Sequence, residues 1–164
     1  MTTFTGERPV GAKTEVYREL ALMAQGLFDG ERDAIANAAN LASLLAMGLP
    51  DLNWSGFYFL RGEGLVLGPF QGRPACVRIE LGKGVCGTAA ATRETVIVPD
   101  VEEFPGHIAC DAASQSEIVL PLVSKGRLIG VLDLDSPIKA RFDEDDARGL
   151  ERLAAMWIAA SDPL

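Results

Sequence analysis

Glu117-Ile118-Val119-Leu120-Pro121-Leu122-Val123-Ser124-Lys125-Gly126-Arg127-Leu128-Ile129-Gly130-Val131-Leu132-Asp133-Leu134-Asp135 decides the fold class. Two β-prone runs, Glu117 to Ser124 and Arg127 to Asp135, flank a Lys125-Gly126 reversal, so the segment reads as an antiparallel hairpin. Successive side chains of a strand point to opposite faces. Along the second run, Leu128, Gly130, Leu132 and Leu134 point one way; Ile129, Val131, Asp133 and Asp135 point the other. The second face is apolar at one end and carries two carboxylates at the other. Glu117, at the mouth of the first run, places a third acid nearby. Taken singly, Asp135 reads as a cap for the Ser136-Pro137 turn and Asp133 as a residue exposed at the sheet rim.

Downstream, Asp143 reads as the N-cap of a closing helix, with Glu144, Asp145 and Asp146 suited to the positive end of its dipole. Leu150, Leu153 and Trp157 form its apolar stripe. Upstream lies a loop of about eighteen residues, Pro99 to Ser116, and loops that long are usually functional or disordered. This one carries Phe104, Ile108 and Cys110, which favour cover over solvent, together with His107, the only histidine of the chain. It reads as a folded flap bearing a reactive thiol, with a plain surface loop and an incidental cysteine as the alternative. Before it come a short strand, Thr95 to Val98, and a short helix, Val85 to Thr92. The helix is preceded by the glycine-rich Leu81-Gly82-Lys83-Gly84. No Gly-Lys-Ser/Thr follows, so this is not a Walker loop. Its amides suit an anion at a helix N-terminus, such as a small-molecule carboxylate, or simply a tight turn.

Three more strands precede these: Asn53 to Leu60, Leu65 to Phe70, and Ala75 to Glu80 with Cys76 near its start. The first places Trp54, Gly56, Tyr58 and Leu60 on one face and Phe57 and Phe59 on the other. Two helices open the chain. Thr14 to Phe28 carries a stripe of Val16, Leu20, Met23 and Leu27, and Arg32 to Met47 carries Ile35, Ala38, Leu41 and Leu45. Residues 1–13 read as a lead-in, and residues 14–164 as one domain. Helices, then an antiparallel sheet, then a closing helix make an α+β fold.

The chain has 164 residues, of which 48% are hydrophobic, enough for one real core. A net charge of -8 argues against a nucleic-acid partner. No apolar run reaches the length of a membrane span, and residues 1–9 lack an apolar signal core. A cytoplasmic location is expected. Three cysteines cannot all pair within one chain; in a reducing compartment they are free, metal-bound or redox-active.

Close carboxylates in a covered pocket repel one another and are desolvated, so one can keep a proton near neutral pH while a neighbour holds a substrate ammonium. Trp54 and Tyr58 share a strand face and either wall such a pocket or serve as core aromatics. For Cys76, Cys86 and Cys110 two chemistries compete. Zinc has four candidate ligands once His107 joins the cysteines, but there is no Cys-x-x-Cys knuckle, and no metal ligand is assigned. Thiol redox fits better: one thiolate attacks and another cysteine resolves the product as a disulfide. A helix N-terminus lowers a thiol pKa, so Cys86 also remains a candidate nucleophile. Two of the three cysteines could equally be small buried hydrophobes.

One set of motifs is Asn53-Trp54-Ser55-Gly56-Phe57-Tyr58, Leu67-Gly68-Pro69-Phe70-Gln71-Gly72, Pro74-Ala75-Cys76 and Gly84-Val85-Cys86-Gly87-Thr88. A second is Phe104-Pro105-Gly106-His107-Ile108-Ala109-Cys110-Asp111, Ser114-Gln115-Ser116-Glu117-Ile118-Val119 and Gly130-Val131-Leu132-Asp133-Leu134-Asp135-Ser136-Pro137. On these motifs the chain resembles the free methionine-(R)-sulfoxide reductases, stand-alone GAF-domain enzymes. The resemblance covers nearly the whole chain. It implies a GAF-like domain with a central antiparallel sheet and terminal helices packed on it. The implied reaction is reduction of the R sulfoxide of free methionine. Cys110 is the implied nucleophile, Cys76 the resolving cysteine and Cys86 an alternative or auxiliary thiol. Glu117, Asp133 and Asp135 would bind substrate and protonate the sulfoxide oxygen, while Trp54 and Tyr58 would line the pocket. No bound cofactor is implied, only an external thiol reductant such as thioredoxin. GAF domains often dimerise through terminal helices, which makes the Val16, Leu20, Met23 and Leu27 stripe either a homodimer surface or core. The competing readings are a GAF sensor for a cyclic nucleotide or other small ligand, and a zinc-stabilised interaction module.

Overall fold

The computed structural model describes residues 6–108 and 110–164. The elements are α1 (Lys13–Phe28), α2 (Ala34–Gly48), β1 (Trp54–Arg61), β2 (Gly64–Gly72), β3 (Arg78–Glu80), α3 (Gly84–Thr92), β4 (Val96–Val98), β5 (Ser116–Ser124), β6 (Arg127–Ser136) and α4 (Glu144–Ala160). The strands form one antiparallel sheet in the order β3-β2-β1-β6-β5-β4. The hairpin read from sequence is β5–β6, and it lies inside the sheet rather than at its edge.

Each face of the sheet is covered by different elements. Phe57 and Phe59 of β1, Ile118, Leu120 and Leu122 of β5, and Leu132 and Leu134 of β6 pack under α1, α2 and α4. Trp157 of α4 meets Phe57 and Phe59 with ring centroids 5.2 and 5.8 Å away. Its buried indole N–H donates to the Ala34 carbonyl at 3.1 Å, so the large side chain is covered without stranding a donor. The opposite face carries Trp54, Tyr58, Val119 and Val131 and packs under α3. The alternation of the strands thus separates a structural core from the layer that holds the site.

Several boundaries differ from the sequence reading. α2 begins at Ala34 rather than Arg32, because Asp33 is its N-cap and accepts from the Ala36 N–H at 2.8 Å. Its buried face runs through Ala34, Ala38, Leu41 and Leu45 and includes Asn37, whereas Ile35 is exposed. The polar Asn37 belongs inside because its amide donates to the Glu31 carbonyl and to Ser161 Oγ. On α1, Val16 and Leu20 are core, joined by Tyr17, Ala21, Ala24 and Phe28, while Met23 and Leu27 are only half-buried. The full stripe is therefore not a free dimer surface. Cys76 precedes β3 instead of opening it, since β3 is only Arg78–Glu80. In the hairpin, Leu122 pairs with Gly130 and Val123 with Leu128, so Ile129 is an unpaired bulge residue. The bulge exchanges two faces: Leu128 packs on the α3 side and Ile129 on the helical core, the reverse of simple alternation.

Asp143 caps α4 as expected, with a reciprocal bond between its backbone N–H and Asp146. Asp146 is also fully buried and accepts from Tyr17 Oη at 2.8 Å, Lys13 Nζ at 2.6 Å and Arg141 Nη1 at 3.2 Å. One carboxylate thereby ties α1 to the start of α4.

Candidate active site

Register places the acids. Glu117 of β5 pairs with Asp135 of β6, which pairs in turn with Trp54 of β1. In the next row of the same face, Val119 pairs with Asp133 and Asp133 with Gly56. Tyr58 follows, opposite Val131. Directly opposed side chains in a sheet sit about 5 Å apart at Cβ, so Glu117, Asp133 and Asp135 form one compact cluster. Gly56 belongs to this arrangement: a Cβ there would stand 2.8 Å from the Trp54 ring and 2.8 Å from the Phe70 backbone. Its absence lets Trp54 stack on Phe70 at 5.3 Å and on Tyr58 at 5.9 Å.

α3 closes over the acids. Cys86, in its first turn, is buried and donates its thiol to Asp133 Oδ2 at 3.3 Å, with Glu117 Oε1 at 4.0 Å. Glu117 and Asp133 are each 6% exposed. Neither lies at a solvated rim, which corrects the simple account of Asp133. Nor does Asp135 cap the Ser136-Pro137 turn. There Ser136 Oγ accepts from the Ile138 N–H at 3.1 Å, and Asp135 faces the pocket.

Burial dominates the electrostatics. It holds the Glu117 carboxyl well above the usual range, and the neighbouring Asp135 charge pushes the same way. Asp133 is raised by burial and by Glu117, and Asp135 by burial and by Asp133. The cluster therefore keeps proton character at neutral pH. The Cys86 thiol is also pushed up, by burial first and then by the charges of Asp133 and Glu117. Position in the first turn of a helix does not make it a ready thiolate here, because desolvation outweighs the dipole. Burial lowers the His107 pKa. Burial thus weakens the ion-pair character of its 3.6 Å contact with Glu117.

The flap completes the pocket. Val101 N–H donates to the Gln115 carbonyl and Gln115 N–H to the Ser136 carbonyl, pinning both ends of the loop. Cys110 is joined to Cys76 in a disulfide that spans 34 residues of sequence. This removes two of the four zinc ligands weighed from sequence. Tyr58 Oη donates to the Cys76 carbonyl at 2.9 Å and Trp54 Nε1 to the Arg73 carbonyl at 3.1 Å, so the aromatic wall also holds the Cys76 loop. Asp111 is kept below the ordinary aspartate range by the Ala113 N–H, by Asn53 and by Arg73. Those partners spread the charge beside Cys110.

Cys86, Cys110, Glu117, Asp133, Asp135, Trp54 and Tyr58 all line a single small cavity of about 40 Å³; Cys76 adjoins it through the disulfide. Lys83, Gly84 and Val85 line it too, so the glycine-rich turn belongs to the site. Gly84 has φ +61°, and a Cβ on it would stand 3.1 Å from Ile108, which packs over the helix start. The sequence reading missed Arg73, Asn53 and Ser114. Arg73, between Gly72 and Pro74, carries no local signal. Asn53 borders the aromatic motif, and its amide donates to Asp111 Oδ2 and Ser114 Oγ at 3.1 and 3.0 Å.

A GAF-domain family profile matches residues 36–159. The chain is 54% identical to the free methionine-R-sulfoxide reductase of Escherichia coli, over 87% of each chain. The X-ray structure of the free methionine-R-sulfoxide reductase of Neisseria meningitidis in complex with its substrate superposes with a TM-score of 0.90. It is 45% identical, covering 94% of this chain and 93% of that one. The reduced form of the Staphylococcus aureus protein gives 0.86 at 46% identity, covering 98% and 99%.

Proposed function

Because the chain belongs to the GAF-domain family, and within it to the free methionine-R-sulfoxide reductases, we propose that it reduces free L-methionine (R)-sulfoxide to L-methionine. The observation that carries this reading is the joining of Cys76 to Cys110 beside a buried, proton-retaining cluster of Glu117, Asp133 and Asp135.

A sulfoxide sulfur becomes electrophilic once its oxygen accepts a proton. The raised acids are suited to donate that proton, and an ionised neighbour in the cluster is suited to hold the substrate ammonium. Trp54 and Tyr58 supply an apolar wall for the methyl and thioether end. The Cys110 thiolate attacks the sulfoxide sulfur, and the S–O bond breaks. Oxygen leaves on Cys110 as sulfenic acid and methionine departs as the thioether; thiolate, proton and sulfoxide account for every atom. The Cys76 thiol then displaces water from the sulfenic acid, giving the disulfide seen between the two residues. A dithiol protein of the thioredoxin type restores both thiols by exchange. Cys86, buried and protonated, is an auxiliary donor to Asp133 in this scheme. No bound cofactor enters it, and a reducing cytoplasm is its natural setting. Among the described residues no helix is long and apolar enough to cross a membrane.

The test is incubation with racemic free methionine sulfoxide and dithiothreitol, followed by chiral analysis. The R epimer is expected to disappear and the S epimer to remain. Equal loss of both, or faster turnover of a peptide-bound sulfoxide, would overturn the assignment. Without reductant, Cys110→Ser should release no methionine. Cys76→Ser should release about one per chain and leave a dimedone-reactive sulfur at Cys110.

A further inference from the structure

We propose that Cys86, Asp133 and Glu117 form a binding site for a single zinc ion, which occupies the substrate pocket and blocks it. The ligand atoms come from α3, β6 and β5 and all lie within 4.8 Å of one another. Tetrahedral zinc with Zn–S of about 2.3 Å and Zn–O of about 2.0 Å sets its sulfur and oxygen ligands roughly 3.5 Å apart. The corresponding separations are 3.3 Å from Cys86 Sγ to Asp133 Oδ2 and 4.0 Å to Glu117 Oε1. The three atoms therefore stand near a zinc coordination sphere with little rearrangement of backbone.

A second observation points to a ligand here. Among the described residues Asp133 Oδ1 has no hydrogen-bond partner, although it is buried, in a residue only 6% exposed that lines the cavity. A buried carboxylate oxygen without a partner is costly unless something binds it. One borderline-soft thiolate with two carboxylates suits zinc better than magnesium or calcium, which prefer all-oxygen spheres. His107 lines the same cavity, and its Nε2 stands 3.6 Å from the second Glu117 oxygen. On binding, the Cys86 S–H bond is exchanged for a Zn–S bond and the proton leaves to solvent. This set is distinct from the His107, Cys76, Cys86 and Cys110 combination considered from sequence, because the disulfide takes Cys76 and Cys110. The blocking effect rests on the reductase reading, since ion and substrate require the same acids; the metal site does not.

In the disulfide form Cys86 is the one free cysteine, so the oxidised wild-type protein isolates the site. Cobalt(II), a spectroscopic stand-in for zinc, is titrated into it. One ion per chain is expected, with a near-ultraviolet thiolate-to-cobalt band that added zinc abolishes. Cys86→Ser should lose the band, and Asp133→Asn and Glu117→Gln should weaken binding at least about tenfold, with circular dichroism confirming that each variant is folded. A folded wild-type protein with no such band, or a band that persists in Cys86→Ser, overturns the site. The blocking effect is read in a Cys76→Ser/Cys110→Ser protein, which cannot turn over and has Cys86 as its only thiol. Free methionine sulfoxide should raise the apparent cobalt Kd in proportion to its concentration. Cobalt binding that is indifferent to methionine sulfoxide overturns the blocking and leaves the metal site standing. Failure of the reductase reading itself appears separately, in the chiral assay.

Discussion

At the scale of single residues, desolvation decides the chemistry. Asp133 and Glu117 are buried beside other acids, so their pKa values rise, by desolvation first and then by like charge. Below about pH 4, the ordinary carboxylate range, Asp133 is protonated whether the chain is folded or unfolded. Above it, the unfolded chain ionises freely while the folded chain resists. The group therefore removes stability as pH rises from the unfolded pKa to the folded one. Asp133→Asn should raise Tm at pH 7, and the gain should vanish near pH 3; thermal melts at the two pH values test this. The same retained proton serves catalysis. Glu117→Gln and Asp135→Ala should each lower turnover by roughly 10²–10⁴-fold. In the wild type, activity should fall on the alkaline side as the cluster loses its proton. Near wild-type turnover in both variants would remove the acids from the mechanism.

The elements are held by contacts that act at their ends. Asp146 joins α1 and α4 by accepting from Tyr17, Lys13 and Arg141. Removing one partner of such a network leaves buried charge unpaired, at a cost of about 3–5 kcal/mol. At roughly 2–4 °C per kcal/mol for a chain of this size, Asp146→Ala should lower Tm by roughly 6–20 °C. Turnover at low temperature should persist, because the helical layer lies on the face of the sheet opposite the site. The start of α3 behaves differently. Gly84→Ala adds a Cβ at positive φ against Ile108, which should displace the flap from the helix start. A higher KM with only a modest drop in Tm is expected. Unchanged KM would show that the flap does not need this contact.

Over the whole molecule, the disulfide fastens the flap to the loop before β3 across the mouth of the pocket. In the chain-entropy picture, a cross-link over 34 residues stabilises by at most about 4 kcal/mol. Reduction should therefore lower Tm and increase proteolytic cutting within residues 99–115, without loss of sheet signal in circular dichroism. Equal cutting in both redox forms would mean that the hydrogen bonds at Val101 and Gln115 suffice to hold the flap.

The sequence by itself determined what depends on near neighbours. The Asp143 cap, the Lys125-Gly126 reversal, the alternation that puts Asp133 and Asp135 on one face, and the start of α3 are local consequences of backbone sterics and hydrogen bonding. The motifs around Cys76, Cys86 and Cys110 also carried the family resemblance and, with it, most of the site. Only the tertiary structure decided the rest. The bulge at Ile129 depends on its pairing with β5, so alternation alone placed Leu128 and Ile129 on the wrong faces. Asn37 is core because distant Ser161 helps satisfy its amide. Arg73 and Asn53 reach the site through the folds of loops that no periodicity encodes. Above all, Cys86 lies 31 residues from Glu117 and 47 from Asp133, yet touches both. Whether those groups are exposed and ionised or buried and protonated depends on what covers them, because desolvation is set by packed neighbours and not by position along the chain.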